Sequence, residues 1–156
     1  MILSTEIIEL IVHARKSLDI LVRKYHNGGN WGDGVAGYCG IASRFLISLA
    51  RRNGVYNMRL VCGLFDNMTH CWVECGDFCI DITISQFKGF KDKAYRICKI
   101  DSDFYNAHYL PEMIGTPAVK YQKQWEQGQD YESYASTLWR IHKKNYIREY
   151  NGMVFR

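Results

Sequence analysis

Cys39 is the side chain of this sequence best placed to act as a nucleophile. It follows a glycine-rich stretch over residues 26–37 and lies at the start of an apolar pattern that predicts a helix over 38–53. A thiol attacks carbonyl groups as the thiolate, and the N-terminal end of a helix lowers the pKa of a cysteine placed there. The preceding glycines let backbone N–H groups approach a substrate carbonyl closely. Because a cysteine at the start of an apolar helix is more often a packing residue, its chemical role depends on its partners.

His70 and Asp81 are the partners that the sequence supplies. Residues 69–83 are rich in β-branched, aromatic and cysteine residues and contain a glycine and an aspartate at 76–77, a pattern typical of two strands joined by a two-residue turn. This register places His70 opposite Thr83 and makes Asp81 its diagonal neighbour on the same face, about 7–8 Å away at the backbone. Since a carboxylate within an apolar strand is costly to bury alone, we expect Asp81 to bind one imidazole nitrogen and to leave the other for the thiol.

The elements around these residues predict an α+β fold. Apolar residues three and four positions apart indicate helices, whereas short runs of β-branched and aromatic residues between turns indicate strands. We expect the helix that begins near Cys39 to pack on an antiparallel sheet, with further helices towards the C-terminus. In chain order, the predicted elements are a helix over 7–25 with Ser4 or Thr5 as its N-cap, a helix over 38–53 closed by Gly54, strands over 56–65, 69–75 and 78–83, a basic and then irregular segment beyond residue 86, and helices over 118–126 and 130–150.

Four short segments of the sequence together resemble a known group of enzymes. They are Gly37-Tyr-Cys-Gly-Ile-Ala-Ser43, Arg59-Leu-Val-Cys-Gly63, His70-Cys-Trp-Val-Glu74 and Ile80-Asp-Ile-Thr-Ile-Ser-Gln-Phe87. These segments are similar to the transglutaminase-like group within the papain-like cysteine-enzyme fold, in which a cysteine, a histidine and an aspartate follow in this order. The resemblance covers about residues 37–87 and implies that this part is the core of the domain. The apolar pattern beyond it adds a C-terminal helical part over about 118–150.

The resemblance implies an enzyme in which Cys39 attacks an amide carbonyl, His70 moves the proton and Asp81 orients His70. The acyl-enzyme is then resolved by water, as in an amidase, glutamine deamidase or peptidase, or by an amine, as in a transglutaminase. The sequence leaves this choice open. We expect a protein or peptide as the substrate and no cofactor.

The sequence departs from papain-type proteases in the residues before the nucleophile. Those proteases carry a glutamine there that completes the oxyanion site, whereas this chain has Asn30 and Trp31 in that stretch. A simple papain-like endopeptidase is therefore less well supported. The backbone N–H of Cys39, together with Asn30 or the Trp31 indole, is the candidate set of oxyanion donors. Trp72 and Gln86 are candidates for lining the cleft, although Trp72 also suits a position in the core.

Composition limits the other classes of function. A chain of 156 residues with 47% hydrophobic and 23% charged residues is expected to form one globular domain over 1–156. No apolar run approaches the roughly 18 residues that a membrane span needs, and the N-terminus lacks the pattern of a signal peptide. We therefore expect no membrane insertion, and a cytoplasmic location or export without a cleaved signal. Because no secretory signal accompanies the six cysteines, we expect reduced thiols. No pair of them has the two-residue spacing of a zinc knuckle, so we expect no metal.

Two alternatives to an enzyme stay open. A non-catalytic member of the same fold would bind a peptide or protein partner in the groove, with the three residues preserved or incidental. A nucleic-acid-binding module would use the basic residues between Lys88 and Lys99 and a second basic face over 140–148. The net charge of +4 is mild and no nucleic-acid-binding motif accompanies these residues, so we expect no nucleic-acid partner.

Overall fold

An antiparallel sheet with helices packed on it forms the fold of this chain. The computed structural model describes residues 3–26, 35, 37–111 and 136–144. The fold is of the α+β class, as predicted. In chain order, the described elements are α1 Thr5–His26, α2 Cys39–Arg52, β1 Met58–Phe65, β2 Met68–Cys75, β3 Phe78–Asp81, the 3₁₀ turn Ile84–Gln86, β4 Arg96–Lys99, α3 Asp103–His108 and β5 Tyr109–Pro111, followed by the helical segment 136–144.

The strands of the described residues form one sheet in the order β4-β3-β2-β1-β5, and all neighbouring strands are antiparallel. The turn between β1 and β2 is made by Asp66 and Asn67, which have φ values of 46° and 67°. Two successive residues with positive φ are the geometry of a type I′ turn, whose twist matches that of the strands it joins. In this strand order, β2 lies between β3 and β1, at the centre of the sheet.

The hairpin of β2 and β3 has the predicted register but is shorter than predicted. The chain leaves the extended conformation at Thr83, where ψ is 20°, and enters the 3₁₀ turn. β3 therefore ends at Asp81, and the predicted pairing of His70 with Thr83 does not form. As a result, β2 extends beyond the end of β3. The register is confirmed over its first three pairs, which are Cys75 with Phe78, Glu74 with Cys79 and Val73 with Ile80.

Alternate residues of β2 reach two hydrophobic clusters on opposite faces of the sheet. Val73 and Cys75 belong to the cluster that contains the apolar residues of α1 and α2. Trp72 belongs to the other cluster, together with Phe65 and Tyr105. Because successive side chains of a strand point to opposite faces, a polar residue in the buried part of β2, from His70 to Cys75, lies among apolar side chains on either face.

The predicted ends of the first two helices are confirmed. The Ser4 hydroxyl accepts a hydrogen bond from the backbone N–H of Ile7 at 3.3 Å, which is the contact of an N-cap residue. α2 begins at Cys39. Gly54 follows its C-terminal end with a φ of 82°, a conformation that glycine adopts without steric cost.

Arg15 joins α1 to the part of the chain that follows β3. Its side chain is buried, and its Nη1 atom donates hydrogen bonds of 2.9 Å to the carbonyl oxygens of Ile82 and Ala94. Its Nε atom pairs with Asp19 at 2.9 Å. A buried guanidinium is stable only when its donors are used, so these contacts fix the residues next to Asp81.

The region beyond residue 86 contains more regular structure than predicted. β4, α3 and β5 lie in the segment that we expected to be basic and irregular, because elements of three to six residues are too short to show a hydrophobic period. The helix predicted over 130–150 is confirmed for residues 136–144. The helix predicted over 118–126 lies outside the described residues. No helix of the described residues has the length and apolar character needed to cross a bilayer.

Two buried histidines link stability to pH. His13 of α1 and His142 of the segment 136–144 both lie in the interior. Burial, followed by the charges of His142 and Lys16, lowers the pKa of His13 from 6.5 to about 4. Burial, followed by the charges of Arg52 and Lys143, lowers the pKa of His142 to about 4. Both side chains are therefore neutral in the folded protein near neutral pH.

We predict that the folded state loses stability as the pH falls from about 6.5 to about 4, because only the unfolded chain binds protons at these histidines in that window. Each lowered pKa corresponds to roughly 1–3 kcal/mol of stability at neutral pH. Urea unfolding of the parent and of His13→Leu at several pH values measures the effect, which should be smaller in the variant. His108→Ala removes a partly exposed histidine and is the control. An equal pH dependence in the parent and in His13→Leu would contradict the prediction.

Candidate active site

A row of polar side chains on one face of β2 forms the centre of the candidate active site. His70, Trp72 and Glu74 occupy alternate positions of the strand, so their side chains point to the same face, and all three are buried. The rings of Tyr105 and Tyr109 pack on this row, at 6.4 and 4.8 Å from the Trp72 ring. Polar groups in such apolar surroundings need hydrogen-bond partners, which the structure supplies for each of them.

The structure brings His70 and Asp81 into direct contact. His70 Nε2 lies 2.7 Å from Asp81 Oδ2, and neither side chain is exposed. The carboxylate also accepts hydrogen bonds from the Thr83 backbone N–H at 3.1 Å and from the Tyr109 hydroxyl at 2.8 Å. Hydrogen bonds to a carboxylate stabilise its ionised form. Asp81 therefore holds the proton of His70 on Nε2 and leaves Nδ1 available for chemistry.

Cys39 reaches His70 because β3 is short. Along a strand of an antiparallel sheet, successive residues form backbone hydrogen bonds to opposite neighbouring strands. Cys75 and Val73 bond to β3, so the backbone N–H of Cys71 points to the same side. β3 has already ended at that level of the sheet. The Cys39 sulfur lies close enough to that N–H and to His70 for both to lower its pKa. The thiol thus lies at the edge of β2, between the two faces of the sheet.

The local charges stabilise a thiolate–imidazolium pair. The hydrogen bond from the Cys71 thiol lowers the pKa of Cys39, burial opposes this, and the hydrogen bond and charge of His70 lower it further, so that the pKa lies well below that of an ordinary thiol. Burial lowers the pKa of His70, but the charge and hydrogen bond of Asp81 and the contact with Cys39 raise it to about 10. The N-terminal end of α2 also favours a negative charge at its first residue.

Gln86 contacts the nitrogen of His70 that Asp81 does not bind. The 3₁₀ turn places its Nε2 atom 3.2 Å from His70 Nδ1 and 3.3 Å from Thr83 Oγ1. The nitrogen of a carboxamide can donate a hydrogen bond to a neutral imidazole, and after a flip of the amide its oxygen can accept one from an imidazolium. The threonine hydroxyl can accept from the amide nitrogen or donate to the amide oxygen, so it is compatible with both orientations. Gln86, predicted as a cleft residue, therefore has a hydrogen-bonding position at the reacting nitrogen.

Trp72 is a core residue at this site. It has no exposed surface, and its Nε1 atom donates a hydrogen bond of 3.2 Å to Glu74 Oε2. Glu74 also accepts from the Tyr105 hydroxyl at 2.7 Å and from Arg59 Nη2 at 2.6 Å. The sequence left open whether Trp72 lines the cleft or packs in the core. In the structure it packs in the core.

The other residues proposed for the oxyanion site are only partly described. Asn30 and Trp31 lie outside the described residues. Cys39 is the first residue of α2, and the first N–H groups of a helix have no acceptor within the helix. Its backbone N–H is therefore the described group best suited to donate to a substrate oxyanion.

No known family model matches this chain. Comparisons with curated proteins and with solved structures also give no match. Among the described residues, no group of three or more histidine, cysteine, aspartate and glutamate side chains is arranged to hold a metal ion. Functional conclusions therefore depend on the geometry around Cys39 and His70.

Tyr105 and Tyr109 are residues of the site that the sequence did not indicate. Their rings stack 5.1 Å apart, and their hydroxyls donate to the buried carboxylates Glu74 and Asp81, respectively. The sequence did contain one indication of these residues, since the two tyrosines are four positions apart and closely follow Ser102. The Ser102 side chain is the N-cap of α3 and accepts a hydrogen bond from the Tyr105 backbone N–H. That spacing predicts one helical face, but it does not show which carboxylates the face covers.

We predict that Asp81→Asn lowers the pKa of His70 from about 10, because burial then opposes the charged imidazole and only the interaction with Cys39 still favours it. The pKa is measured from the ¹⁵N chemical shifts of the imidazole during a pH titration. Asp66→Asn is the matched control, since Asp66 pairs with His108 at 2.7 Å in a more exposed position. A His70 pKa that is unchanged in Asp81→Asn would show that the carboxylate does not control the imidazole.

We predict that iodoacetamide alkylates Cys39 at pH values well below the ordinary thiol pKa of about 8.5, with a rate that changes little until the thiolate itself is protonated. His70→Ala should raise the pKa of Cys39 and slow the reaction at about pH 6 by tenfold or more. Peptide mass spectrometry gives the rate at each of the six cysteines, so the other thiols are internal controls. A Cys39 that titrates like those thiols would rule out the ion pair.

Proposed function

We propose that this chain is a thiol enzyme that transfers an acyl group from an amide. Cys39 is the nucleophile, His70 carries the proton, and Asp81 orients His70. The observation that supports this most directly is the fully buried bond of 2.7 Å between His70 Nε2 and Asp81 Oδ2, on an imidazole that also contacts the thiol. We further propose that the order of these residues reflects membership of the transglutaminase-like group within the papain-like fold.

The first chemical step is attack of the Cys39 thiolate on the amide carbonyl. A carbon–sulfur bond forms, and the electron pair of the carbonyl double bond moves to oxygen. Donors aimed at that oxygen stabilise the tetrahedral intermediate, and the Cys39 backbone N–H at the start of α2 is suited to this role. The imidazolium of His70 stays beside the sulfur, because Asp81 balances its charge.

The second step releases the amine and gives a thioester. The carbon–nitrogen bond breaks, and the leaving nitrogen takes the proton of His70 Nδ1, as general acid catalysis requires. The neutral imidazole then accepts a proton from water or from a second amine, which attacks the thioester and expels the Cys39 thiolate. Gln86, 3.2 Å from His70 Nδ1, accepts from or donates to this nitrogen as its protonation changes.

The burial of the reacting groups favours side-chain carboxamides as substrates. Cys39 exposes 6% of its surface, and His70 exposes none. A carbonyl at the end of a long side chain can reach such a thiol, whereas a main-chain amide of a folded protein is flanked on both sides by further chain. We therefore propose glutamine side chains of proteins or peptides as the substrates, with water giving deamidation and amines giving transamidation.

The test is incubation of the enzyme with casein, with and without a biotinylated alkylamine. We predict conversion of glutamine to glutamate or incorporation of the amine, both read by peptide mass spectrometry. Cys39→Ala should abolish both products, and His70→Ala should reduce the rate by at least about a hundredfold. His108→Ala, which removes the histidine of the more exposed pair with Asp66, is the control and should keep full activity.

Three outcomes would change the proposal. Turnover by Cys39→Ala would exclude Cys39 as the nucleophile. Cleavage of casein without change at glutamine would keep the acyl transfer but replace the carboxamide substrate with a peptide bond. A folded protein with a reactive Cys39 and no product of any kind would contradict the proposal and favour a protein that binds its partner without catalysis.

A further inference from the structure

Cys62 and Cys71 face each other across β1 and β2. They are partners in the register of the hairpin, and their sulfur atoms are 3.2 Å apart. Counted from the two-residue turn closed by Phe65 and Met68, they form a non-hydrogen-bonded pair, in which side chains approach most closely. The Cα atoms of such a pair are about 4.5 Å apart, a separation that a disulfide can span.

Cys71 also lies close enough to Cys39 for each thiol to shift the pKa of the other, that of Cys39 down and that of Cys71 up. Its side chain points to the face of β2 opposite His70, which by itself would separate it from the site. The position of the Cys39 sulfur at the edge of β2 removes that separation, because an atom at the edge is accessible from both faces. The three thiols are therefore connected in the order Cys39, Cys71 and Cys62, with Cys71 in contact with both others.

We propose that these three cysteines form a peroxide-reducing relay, in which Cys39 reacts with a small hydroperoxide and the oxidation ends as a disulfide between Cys71 and Cys62. This inference goes beyond acyl transfer. It shares with the proposed function only the reactive thiolate of Cys39. The class of substrate is a hydroperoxide small enough to reach a sulfur whose residue exposes 6% of its surface.

The first two steps balance as follows. The Cys39 thiolate attacks the terminal oxygen of the hydroperoxide, the oxygen–oxygen bond breaks, and the alkoxide or hydroxide that leaves takes a proton from His70. Cys39 is then a sulfenic acid, oxidised by two electrons. The Cys71 sulfur attacks the Cys39 sulfur, water leaves with the proton of the Cys71 thiol, and a Cys39–Cys71 disulfide forms.

The third step restores the nucleophile. Cys62 attacks the Cys71 sulfur and releases its thiol proton to solvent, and the Cys39–Cys71 bond breaks. Cys39 leaves as the thiolate, and His70 takes up a proton from solvent to replace the one it gave to the leaving oxygen. A leaving thiol with a low pKa departs fastest, and the surroundings of Cys39 lower its pKa. Cys62 is only partly buried, so a low-molecular-weight thiol can reach the final disulfide, reduce it and become oxidised itself.

The test uses the full reduced chain, treated with equimolar hydrogen peroxide, quenched with an alkylating agent and mapped by mass spectrometry without reduction. We expect a Cys62–Cys71 disulfide together with a Cys39 that is still alkylated. In Cys62→Ser we expect the Cys39–Cys71 disulfide to accumulate. In Cys71→Ser we expect a sulfenic acid at Cys39 that dimedone traps. In Cys39→Ala the Cys62–Cys71 disulfide should form at least about tenfold more slowly.

The matched control is the second cross-strand cysteine pair of the sheet. Cys79 and Cys98 are register partners on β3 and β4, and replacing both with serine should leave the formation of the Cys62–Cys71 disulfide unchanged. The relay is overturned if that disulfide forms equally fast in Cys39→Ala, or if the parent chain accumulates sulfinic acid at Cys39 without any disulfide. Casein turnover by reduced Cys62→Ser is measured in parallel, because that variant separates failure of the relay from failure of acyl transfer.

Discussion

The contact between His70 and Asp81 is the constraint on which the rest of the site depends. Two groups that ionise together in an apolar interior cost several kcal/mol in lost hydration unless their remaining hydrogen-bonding capacity is used. Here the carboxylate accepts from His70, from the Thr83 backbone and from Tyr109. Each of the last two hydrogen bonds depends on the course of the backbone. The Thr83 N–H reaches Asp81 only because the chain turns immediately after β3, and the Tyr109 hydroxyl reaches it only because α3 ends over the sheet.

The unequal lengths of neighbouring strands determine where the Cys39 thiol can lie. β2 continues past the end of β3, so one backbone N–H at its edge has no strand partner on that side. The first residue of α2 occupies this position with a sulfur atom. A β3 longer by two residues would pair with the N–H of Cys71 and exclude the thiol. The geometry of the candidate site thus depends on strand length as much as on residue type.

Local sequence features predicted the parts of the site that depend on neighbouring residues in the chain. The turn at Gly76 and the residue pattern of β2 and β3 predicted which residues of the two strands pair. The helical spacing of apolar residues after Cys39 predicted that Cys39 begins a helix. The contact of Cys71 with Cys39 was not predictable, since it depends on where β3 stops. The hydroxyl of Tyr109 comes from a three-residue strand, which is too short to have a recognisable pattern. Such contacts follow from tertiary packing, which local propensity does not encode.

The hydrogen bond from Tyr109 to Asp81 has a consequence for the biosynthesis of the protein. A nascent chain leaves the ribosome with its N-terminus first and folds as it emerges, so Cys39 and His70 are outside long before Tyr109. Until β5 has paired with β1, the carboxylate lacks one of its donors, and the electrostatic setting of the thiol is incomplete. Maturation of the thiolate is therefore coupled to the synthesis of a later segment. The Cys39 thiol therefore acquires its final electrostatic surroundings only when the fold around it is already closed.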